Sequence, residues 1–340
     1  MNIRFSLIIL FALLISACEK KIDLPRNDIY PISLSADIVN VGTSHAEAND
    51  SHTRAVTIFT GTSTDKMTAG VWFSTIAGQY FHNPQGSTFL PSHTTVTYES
   101  GIPVTVYLDP EQRTKPISYP LPDNSNADAT DVYCVGFYPA DGWTMASDAK
   151  AATFHVEGTT DIMFAEQIKG SWGEPFGSQT YKHLLTWLKF EGRITDVDAI
   201  EQWGDIKKIS VVSPFDTVKI TFSQTANGTS SINYIDSDSK NNEIIAKQGS
   251  FPLTVTAQNI SEVLCIPATS ITLQVETEKV TRTVEIPFFD ENGNPITNIN
   301  DTIGRLIIIN LYFNKFNYID ATCSLIPWNE QNVDLSGTVN

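Results

Sequence analysis

The chain has 340 residues, 41% of them hydrophobic, and carries 22 Lys and Arg against 38 Asp and Glu, for a formal net charge of −16. This acidic balance repels nucleic-acid phosphates and anionic membrane surfaces, and the hydrophobic content excludes wholesale disorder. At roughly 100 to 200 residues per domain, the length predicts two domains, each with its own core.

The first residues have the pattern of a secretory signal peptide that ends in a lipobox. Arg4 supplies a positive charge, residues 7–15 are apolar, and two small residues, Ser16 and Ala17, precede Cys18 in the stretch LLISACEKK. These are the features that a signal peptidase reads. A cysteine at the cleavage site favours lipidation, with a diacylglyceryl group on the Cys18 thiol and acyl chains such as palmitate. An ordinary signal peptide with a chance cysteine is the alternative.

Residues 1–17 are therefore predicted to be removed, and residues 18–53 to form a lipidated leader. The leader is polar, with the run GTSHAEANDSHT, which is typical of a tether. At most one strand is predicted within it, between Tyr30 and Val41. The membrane anchor would be the lipid on Cys18, because no later apolar run approaches the ~20 residues that a helix needs to cross a bilayer.

From Arg54 onward the pattern changes to short segments rich in Val, Ile, Thr, Tyr and Phe between turn residues. Segments such as AVTIFTG, DVYCVGFYP and RLIIINLYF predict β-strands, so the predicted fold class is all-β. Asn-Gly pairs within 226–229 and 290–295 predict tight hairpin turns with positive φ. One short helix is predicted in TDVDAIEQWGDI, capped by Thr195 or Asp196. Its apolar face would carry Val197, Ile200 and Trp203.

The many short strands and frequent Gly, Pro and Asn suit two β-sandwich domains in tandem, of the transthyretin-like or Greek-key kind. The Gly-rich stretch GSWGEPFGSQT predicts the boundary between an N-terminal sandwich at 54–180 and a C-terminal sandwich at 181–340. The strand YKHLLTWLKF would open the second sandwich, with His183 at its start. Its nearly continuous apolar run is expected where both faces of a strand are covered.

Motifs for catalysis and for cofactor or metal binding are not found in the sequence. GxSxG, HExxH, GxGxxG and the Walker loop are all missing, and the six His residues are scattered. The acidic stretch DSDSKNNE lacks the central Gly and the closing Glu of a calcium loop, and it is predicted to be a solvated hairpin tip. We therefore expect a protein without catalytic residues, cofactor or metal.

Cysteine and tryptophan residues receive mainly structural interpretations. After Cys18, the remaining cysteines are Cys134, Cys265 and Cys323, each in a predicted strand. Burial as small apolar residues is the favoured interpretation, and one disulfide among them stays open. Most of the six Trp residues are predicted to lie in the core, whereas Trp143 and Trp172, which are flanked by Gly, could form an exposed platform for sugar rings.

Four segments together resemble a known family. They are DIMFAE at 161–166, YKHLLTWLKFEG at 181–192, VLCIPATSITLQVE at 263–276 and CSLIPWN at 323–329. In this order, behind a lipobox, they are similar to the fimbrillin family of Bacteroidetes, the subunits and relatives of type V pili. The resemblance spans most of the mature chain.

The resemblance implies a route of maturation and assembly. Fimbrillins are exported as lipoproteins, then cut after an arginine by a trypsin-like surface protease that removes the leader and an N-terminal strand. A strand from the next subunit fills the groove left open. The bond between Arg54 and Ala55, in HTRAV, fits this cut because it lies between the polar leader and the predicted strand AVTIFTG, and Arg26 is the competing site. His183 resembles a recurring strand histidine of the family with a structural hydrogen-bonding role.

The donor strand is expected in the C-terminal segment. Its apolar residues are Val333, Leu335 and Val339, which share one parity, as one face of a strand requires. The segment is short and polar, which leaves stalk, tip, accessory and anchor roles open. The tripeptides D-T-V at 216–218 and D-T-I at 301–303 resemble the glycosylation pattern of the same phylum.

The predicted function is that of a fimbrillin-like structural and adhesion protein at the outer membrane and cell surface, within or on a fimbrium. Expected partners are other pilin subunits through β-strand exchange, the surface protease, and a glycan or host protein as adhesion target. The alternative is a non-polymerising outer-membrane lipoprotein that binds glycans. An extracellular hydrolase would require a carboxylate pair in a cleft, which the sequence does not identify.

Overall fold

A computed structural model of the protein describes residues 31–38, 66–80, 93–99, 102–120, 131–236, 243–290 and 292–327. Nearly all regular structure in these ranges is β-strand. The exceptions there are the 3-10 turns Val197–Ala199 and Ile299–Asp301 and one short helix, α1, at Ile200–Trp203. The all-β, β-sandwich class predicted from the sequence is confirmed.

The strands of the described ranges are numbered in chain order. The first nine are β1 (Ser33–Ile38), β2 (Lys66–Ser74), β3 (His93–Glu99), β4 (Val104–Thr105), β5 (Val132–Tyr138), β6 (Thr144–Met145), β7 (Ala151–His155), β8 (Met163–Gly170) and β9 (Ser178–His183). The others are β10 (Thr186–Ile194), β11 (Ile206–Val212), β12 (Thr217–Thr221), β13 (Ser231–Ile235), β14 (Glu243–Phe251), β15 (Gln258–Cys265), β16 (Ser270–Thr277), β17 (Thr281–Pro287), β18 (Arg305–Phe313) and β19 (Ile319–Pro327).

These strands form four sheets. A seven-stranded sheet has the order β3-β2-β5-β8-β9-β1-β4, and three four-stranded sheets have the orders β13-β12-β7-β6, β15-β10-β18-β19 and β14-β11-β16-β17. One hydrophobic core takes residues from all four, including Phe137 of β5, Ile220 of β12, Leu188 of β10 and Ile209 of β11. The apolar runs of β10 and β18 pair in parallel at the centre of their sheet, as expected for strands covered on both faces.

The chain changes sheets at Leu184 and Leu185, which corrects the expectation for His183. His183 ends β9 in the seven-stranded sheet, and β10 begins at Thr186 in another sheet, so His183 does not open the second sandwich. The two leucines are buried, and their backbone groups are satisfied by the flanking structure. Leu184 N–H donates to the Ile162 carbonyl at 2.8 Å, and the Leu185 carbonyl accepts from Gly304 N–H at 2.9 Å.

The sheet β13-β12-β7-β6 joins strands from both sides of residue 181. β7 pairs with β12 in an antiparallel ladder that runs from His155 opposite Thr217 to Ala151 opposite Thr221. The domain boundary proposed from the Gly-rich stretch stays a prediction. Wherever that boundary lies, β7 and β12, which are distant in sequence, form one ladder.

The predicted helix forms, but its buried face differs from the expectation. Asp196 caps the 3-10 turn, since its Oδ1 accepts from Asp198 N–H at 3.1 Å. Val197 is 66% exposed and Ile200 48%, whereas Trp203 is fully buried. Of the three residues, Trp203 is the one that packs inward, and its Nε1–H donates to the Asn314 carbonyl at 2.8 Å.

The two Asn-Gly turns also form, with different geometry. Residues 222–230 connect β12 to β13 as a hairpin, as predicted, with a turn at 225–228. Gly228 does not have the positive φ that we expected there; a Cβ at this position would overlap the Ser223 side chain, so space accounts for the glycine. Gly293 does have a positive φ, of 79°, but its turn closes an isolated bridge between Phe289 and Pro295 rather than a hairpin between two strands of one sheet.

Candidate functional site

The candidate site is the position of β1 within the seven-stranded sheet. β1 lies between β9, to which it runs parallel, and β4, to which it runs antiparallel. Among the described residues it is the one strand that precedes Arg54 in the sequence. We call this position between β9 and β4 the β1 seat.

The side chains of β1 alternate between the interior and the surface. Ile32, next to the strand, and Leu34 are 0% exposed, and Ala36 is 8% exposed. Ser33 and Ser35 between them are half-buried. This period of two shows that one face of the segment enters the core while the other meets solvent.

Hydrogen bonds hold the segment at both ends, from the backbone at Ile32 and from a side chain at Asp37. Ile32 N–H donates to the Ile117 carbonyl at 2.7 Å, and the Ile32 carbonyl accepts from Val106 N–H at 2.9 Å. At the other end Ser178 Oγ donates to Asp37 Oδ2 at 2.7 Å on the outer face. The segment is therefore an integral interior strand, bonded along both edges.

β3, at one end of the seven-stranded sheet, contacts β1 and β4 at the other end. The sheet is therefore curled. As a result, Tyr98 of β3 reaches across to the β9 residues that lie beside β1. Tyr98 and Tyr181 have ring centroids 5.9 Å apart in an edge-to-face arrangement. The floor of the β1 seat is thus built from three strands that are remote in sequence.

A buried polar cluster forms this floor, and we call its members, Gln179, Tyr98, Tyr181 and Cys134, the Gln179 cluster. Tyr98 O–H donates to Gln179 Oε1 at 2.7 Å, and Tyr181 O–H donates to the same atom at 3.4 Å. Gln179 Nε2–H donates to Cys134 Sγ at 3.5 Å. All four side chains are buried. Buried polar groups that hydrogen-bond to one another in this way favour one arrangement. A buried group that loses its hydrogen-bond partner lowers the stability of the fold.

The Gln179 cluster carries no charge. Burial raises the pKa of Tyr98 and of Tyr181 far above their usual value. Burial likewise raises the pKa of the Cys134 thiol, against a smaller opposing effect of its hydrogen bond from Gln179. The groups therefore stay neutral at physiological pH, and the floor acts through shape and hydrogen bonding.

Gly136 makes room for the cluster. A Cβ at this position would overlap the Tyr181 hydroxyl and lie 3.1 Å from Gln179 Oε1. The Tyr181 ring therefore lies directly over the β5 backbone, where only a hydrogen leaves it enough space.

Sequence reasoning missed this cluster. In GSQTYKH the residues Gln179, Tyr181 and His183 are the buried ones of β9, alternating with exposed neighbours. Because the inward residues of this strand are polar or amphipathic, hydrophobic alternation does not reveal its buried face. The regular spacing of Gln, Tyr and His was the available signal.

The site residues predicted from the sequence lie outside the described residues. These are Cys18, Arg54, Ala55, Val333, Leu335 and Val339, together with the competing Arg26 and the DSDSKNNE stretch apart from its two end residues. Their roles remain predictions.

His183 forms a hydrogen bond of the kind expected for a structural residue. Its Nδ1 lies 2.7 Å from Asp161 Oδ2, and both side chains are almost fully buried. The pair lies where the chain leaves the seven-stranded sheet for β10. It ties the end of β9 to the segment that precedes β8.

The tryptophans predicted as a sugar platform are half-buried. Trp143 Nε1–H donates to the Pro139 carbonyl at 3.0 Å, and its ring lies 4.5 Å from Phe137 and 5.1 Å from Phe154 between centroids. The rings of Phe137 and Phe154 therefore pack against the Trp143 ring. Trp172 is half-buried in the turn after β8.

The described cysteines are unpaired, so none of the disulfides left open by the sequence forms between them. Cys134 and Cys265 are buried in strands, as predicted. Cys323 is half-buried on β19, and its Sγ–H donates to the Pro287 carbonyl at 3.3 Å.

The threonines of the two glycosylation-like tripeptides are buried. Thr217 is 6% exposed and Thr302 is 0% exposed. Thr217 Oγ1 donates to Asp216 Oδ1 at 2.8 Å, and Thr302 Oγ1 donates to the Ile299 carbonyl at 2.9 Å. The folded chain therefore offers neither hydroxyl to a glycosyl transferase.

In the described part of the chain, no group of three or more His, Cys, Asp or Glu residues could hold a metal ion. In the same ranges, no helix has the length and apolarity needed to cross a bilayer.

Taken together, the features define an all-β protein with several sheets and an N-terminal strand seated in the interior of one of them. Among solved structures, the chain is similar to a proposed cell adhesion protein from Bacteroides uniformis, with 14% identity, 88% of this chain and 99% of that chain covered, and a TM-score of 0.49. It is also similar to a fimbrial protein from Bacteroides vulgatus, with 10% identity, 77% and 92% covered, and a TM-score of 0.39.

The fimbrial anchor protein Mfa2 from Porphyromonas gingivalis is a further similar structure, with 8% identity, 88% of this chain and 98% of that chain covered, and a TM-score of 0.42. Fimbrial proteins are thus among the neighbours, in agreement with the resemblance predicted from the sequence. No protein-family model and no curated protein matches the sequence. At this level of identity and TM-score, the similarities assign no activity or partner to this chain.

Proposed function

We propose that this protein is a fimbrillin-like structural and adhesion protein of the bacterial surface. In this proposal it is exported as a lipoprotein anchored through Cys18, matured by cleavage between Arg54 and Ala55, and assembled by strand exchange with other subunits. The adhesion target would be a glycan or a host protein. The single observation that carries the proposal is the interior position of a strand that precedes Arg54.

The order of residues along the chain makes the position of the cut decisive. β1 lies between Arg26 and Arg54 in the sequence. A cut after Arg26 would release the lipid but leave β1 attached to the rest of the protein. A cut after Arg54 would separate both the lipid and β1 covalently from the sheet. Cleavage after Arg54 is therefore the event that could empty the β1 seat.

An empty β1 seat would favour the binding of another strand. The facing edges of β9 and β4 would present unpaired N–H and C=O groups, and the space occupied by Ile32 and Leu34 would be apolar and open. Unpaired strand edges and exposed apolar surface are both unfavourable in water. An added strand satisfies the edges with main-chain bonds, while its alternate side chains fill the pockets.

The test is intact-mass analysis and N-terminal sequencing of the protein taken from its native cell surface. We expect a chain that begins at Ala55 and carries no lipid. Arg54→Ala should retain the leader and stop assembly, whereas Arg26→Ala should mature normally. Cys18→Ala controls for the lipid, because it removes the acylation without touching the seat.

Two results would overturn the proposal. A surface chain that still begins at acylated Cys18 would stay membrane-bound and would support the non-polymerising, glycan-binding lipoprotein instead. A chain that begins directly after Arg26 would keep β1 attached, and exchange at the β1 seat would then have no vacancy to fill.

A further inference from the structure

We infer that a cavity on the outer face of the sheet β13-β12-β7-β6 binds an acidic glycan, that is, a saccharide that carries carboxylate groups. We call it the Lys219 cavity. Its volume is about 440 Å³, and its lining includes two cationic side chains, those of Lys219 and Lys150. The inference rests on the adhesion part of the proposed function and names the class of its target. It does not depend on cleavage or on strand exchange.

The strands of this sheet alternate between the core and the cavity. Val218 and Ile220 of β12 are 0% exposed and belong to the core, whereas Lys219 between them points to the opposite face. Thr153 of β7 is the ladder partner of Lys219, and Thr144 of β6 is the partner of Thr153. Side chains of paired residues lie side by side, so one lysine and two threonines stand in a row across three strands.

The two lysines line the cavity from different levels of β12. Lys219 lies within the strand, and Lys150 lies beside its end, where the Lys150 carbonyl accepts from Phe222 N–H at 2.8 Å. The two levels are three residues apart, which is about 10 Å along a strand. Both lysines are half-buried. A ligand in the cavity would therefore lie between two positive groups.

Neither ammonium group has a partner in the part of the chain that the structure describes. There, Lys169, Lys207 and Lys208 each form an ion pair with a carboxylate, whereas Lys150 and Lys219 form none and their ammonium groups make no hydrogen bond. The chain carries 38 acidic residues and a net charge of −16, so lysines without a counter-ion are not explained by a shortage of carboxylates. Two such lysines at one cavity favour an anionic ligand.

One carboxylate also lines the cavity. Asp148 Oδ1 accepts from Lys150 N–H at 3.1 Å, which holds Asp148 in the turn between β6 and β7. The two lysines and this aspartate give the lining residues a charge of 2 − 1 = +1. A cleft whose charge is positive concentrates negative ligands, because its protein walls screen the field less than water does. The cavity thus attracts anions although the whole chain is acidic.

The remaining lining residues fit a saccharide. Thr144, Thr153 and Thr221 supply hydroxyl groups, which can donate and accept hydrogen bonds as sugar hydroxyls do. Met145 and Ile235 add apolar surface against which the C–H face of a sugar ring can pack. Sites for small ligands commonly have volumes of about 300–1,000 Å³ and combine apolar lining with a few placed polar groups. The Lys219 cavity has this composition and size.

An acidic peptide segment fits the cavity less well than a saccharide. An extended peptide commonly binds by adding a strand to an open sheet edge, where main-chain groups are unpaired. Lys219 and Thr153 belong to β12 and β7, which are the two interior strands of this sheet and have a partner strand on each side. The cavity therefore presents mainly side chains to its ligand.

The test measures binding to the full, uncleaved chain by isothermal titration calorimetry, with Cys18→Ala to prevent acylation. The probes are trigalacturonic acid, its methyl ester and hexaglutamate. The methyl ester is the matched ligand control, because it keeps the sugar rings and removes their charge. Lys150→Gln and Lys219→Gln test the cavity. Lys279→Gln is the matched protein control, since Lys279 is exposed in the turn after β16 and does not line the cavity.

We expect trigalacturonic acid to bind, and its methyl ester to bind at least about tenfold more weakly. Lys150→Gln and Lys219→Gln should each weaken binding by about tenfold, because each removes one charge-assisted hydrogen bond, whereas Lys279→Gln should leave the affinity unchanged. Asp148→Asn should tighten binding. It keeps the oxygen that accepts from Lys150 N–H and removes the carboxylate charge that opposes the ligand.

Equal binding of trigalacturonic acid and its methyl ester, or binding of neither, would overturn the acidic glycan. Binding that is unchanged in both glutamine variants of the cavity would overturn the site. If either of these variants fails to fold in a urea titration, Asp148→Asn decides, because an affinity that is unchanged or weaker would contradict the inference. Hexaglutamate that binds as tightly as trigalacturonic acid, with the same loss in Lys219→Gln, would assign an acidic protein segment instead.

These outcomes are independent of the maturation test. The calorimetry uses a chain that is neither acylated nor cleaved, so a failure to bind would leave cleavage after Arg54 and strand exchange untouched. Conversely, a surface chain that still begins at acylated Cys18 would overturn the proposed maturation and leave the Lys219 cavity as a glycan site.

Discussion

At the scale of single residues, Gly136 is the position on which the floor of the β1 seat depends most directly. A methyl group there would overlap the Tyr181 hydroxyl. We expect Gly136→Ala to lower the free energy of unfolding by about 1–3 kcal/mol, the usual cost of overpacking a core.

Urea unfolding followed by tryptophan fluorescence measures this change. Gly173→Ala is the matched control, since nothing lies within 4 Å of a Cβ built at Gly173 and its φ is not positive. Equal stability of Gly136→Ala and the unmodified protein would mean that Tyr181 can move aside without cost.

Glu243 makes stability depend on pH. Lys208 and Ser210 both donate hydrogen bonds to its carboxylate, and they lower the pKa of Glu243 below its ordinary value of 4.5, against a smaller effect of burial. A carboxyl group whose pKa is depressed by folding adds stability above its unfolded pKa, and this stability is lost as the pH falls through the folded pKa.

We therefore expect Glu243→Gln to lower the free energy of unfolding at pH 7 by about 0.5–1 kcal/mol, a modest value because the ion pair is partly exposed. The difference should disappear well below pH 4.5. Urea titrations at the two pH values test this. A loss that is the same at both would show that the carboxylate's charge is not the cause.

At the scale of elements, β1 is the strand whose packing bears on function. Leu34 is fully buried in the β1 seat. Leu34→Ala should lower the free energy of unfolding by about 2–5 kcal/mol through the cavity it leaves. After cleavage at residue 54, the same variant should release its leader fragment faster.

Release of the leader is read by native mass spectrometry, and Ser35→Ala serves as the control because Ser35 points to the outer, half-buried side of β1. A leader that dissociates at the same rate from Leu34→Ala and Ser35→Ala would mean that inward packing does not hold β1.

Elements also show how far local sequence reasoning reaches. β10 and β18 were predictable, because apolar runs such as RLIIINLYF favour a strand covered on both faces. The helix was predictable in position and cap, but not in its buried face. Val197 and Ile200 are apolar and yet exposed, since only the contact with the end of β18 decided which side of α1 turned inward.

At the scale of the whole molecule, the shared sheet and the common core should couple the two predicted domains. β7 and β12 form one ladder although they lie on opposite sides of residue 181. We expect their backbone amides to lose protection together in hydrogen exchange as denaturant is added, because opening either strand breaks the bonds of both.

Hydrogen exchange with mass spectrometry can follow peptides from β7 and β12 separately in the full chain. If β7 and β12 lost protection at clearly different denaturant concentrations, the sheet between them would be a weak contact and the two domains would be independent.

The all-β class can be predicted from the residue order alone, because short β-prone segments recur between turns. The alternation of inward and outward positions follows from strand geometry and needs no partner strand to be known.

The position of β1, in contrast, depends on contacts between segments that are far apart in the sequence. Its partners, β9 and β4, come from residues 178–181 and 104–105, and the Gln179 cluster brings together β3, β5 and β9. Such pairings close long loops, so they are selected by the packing of the whole core and not by any local preference of the strands. For this reason the sequence could suggest a strand in the leader, whereas its interior position became visible only in the folded chain.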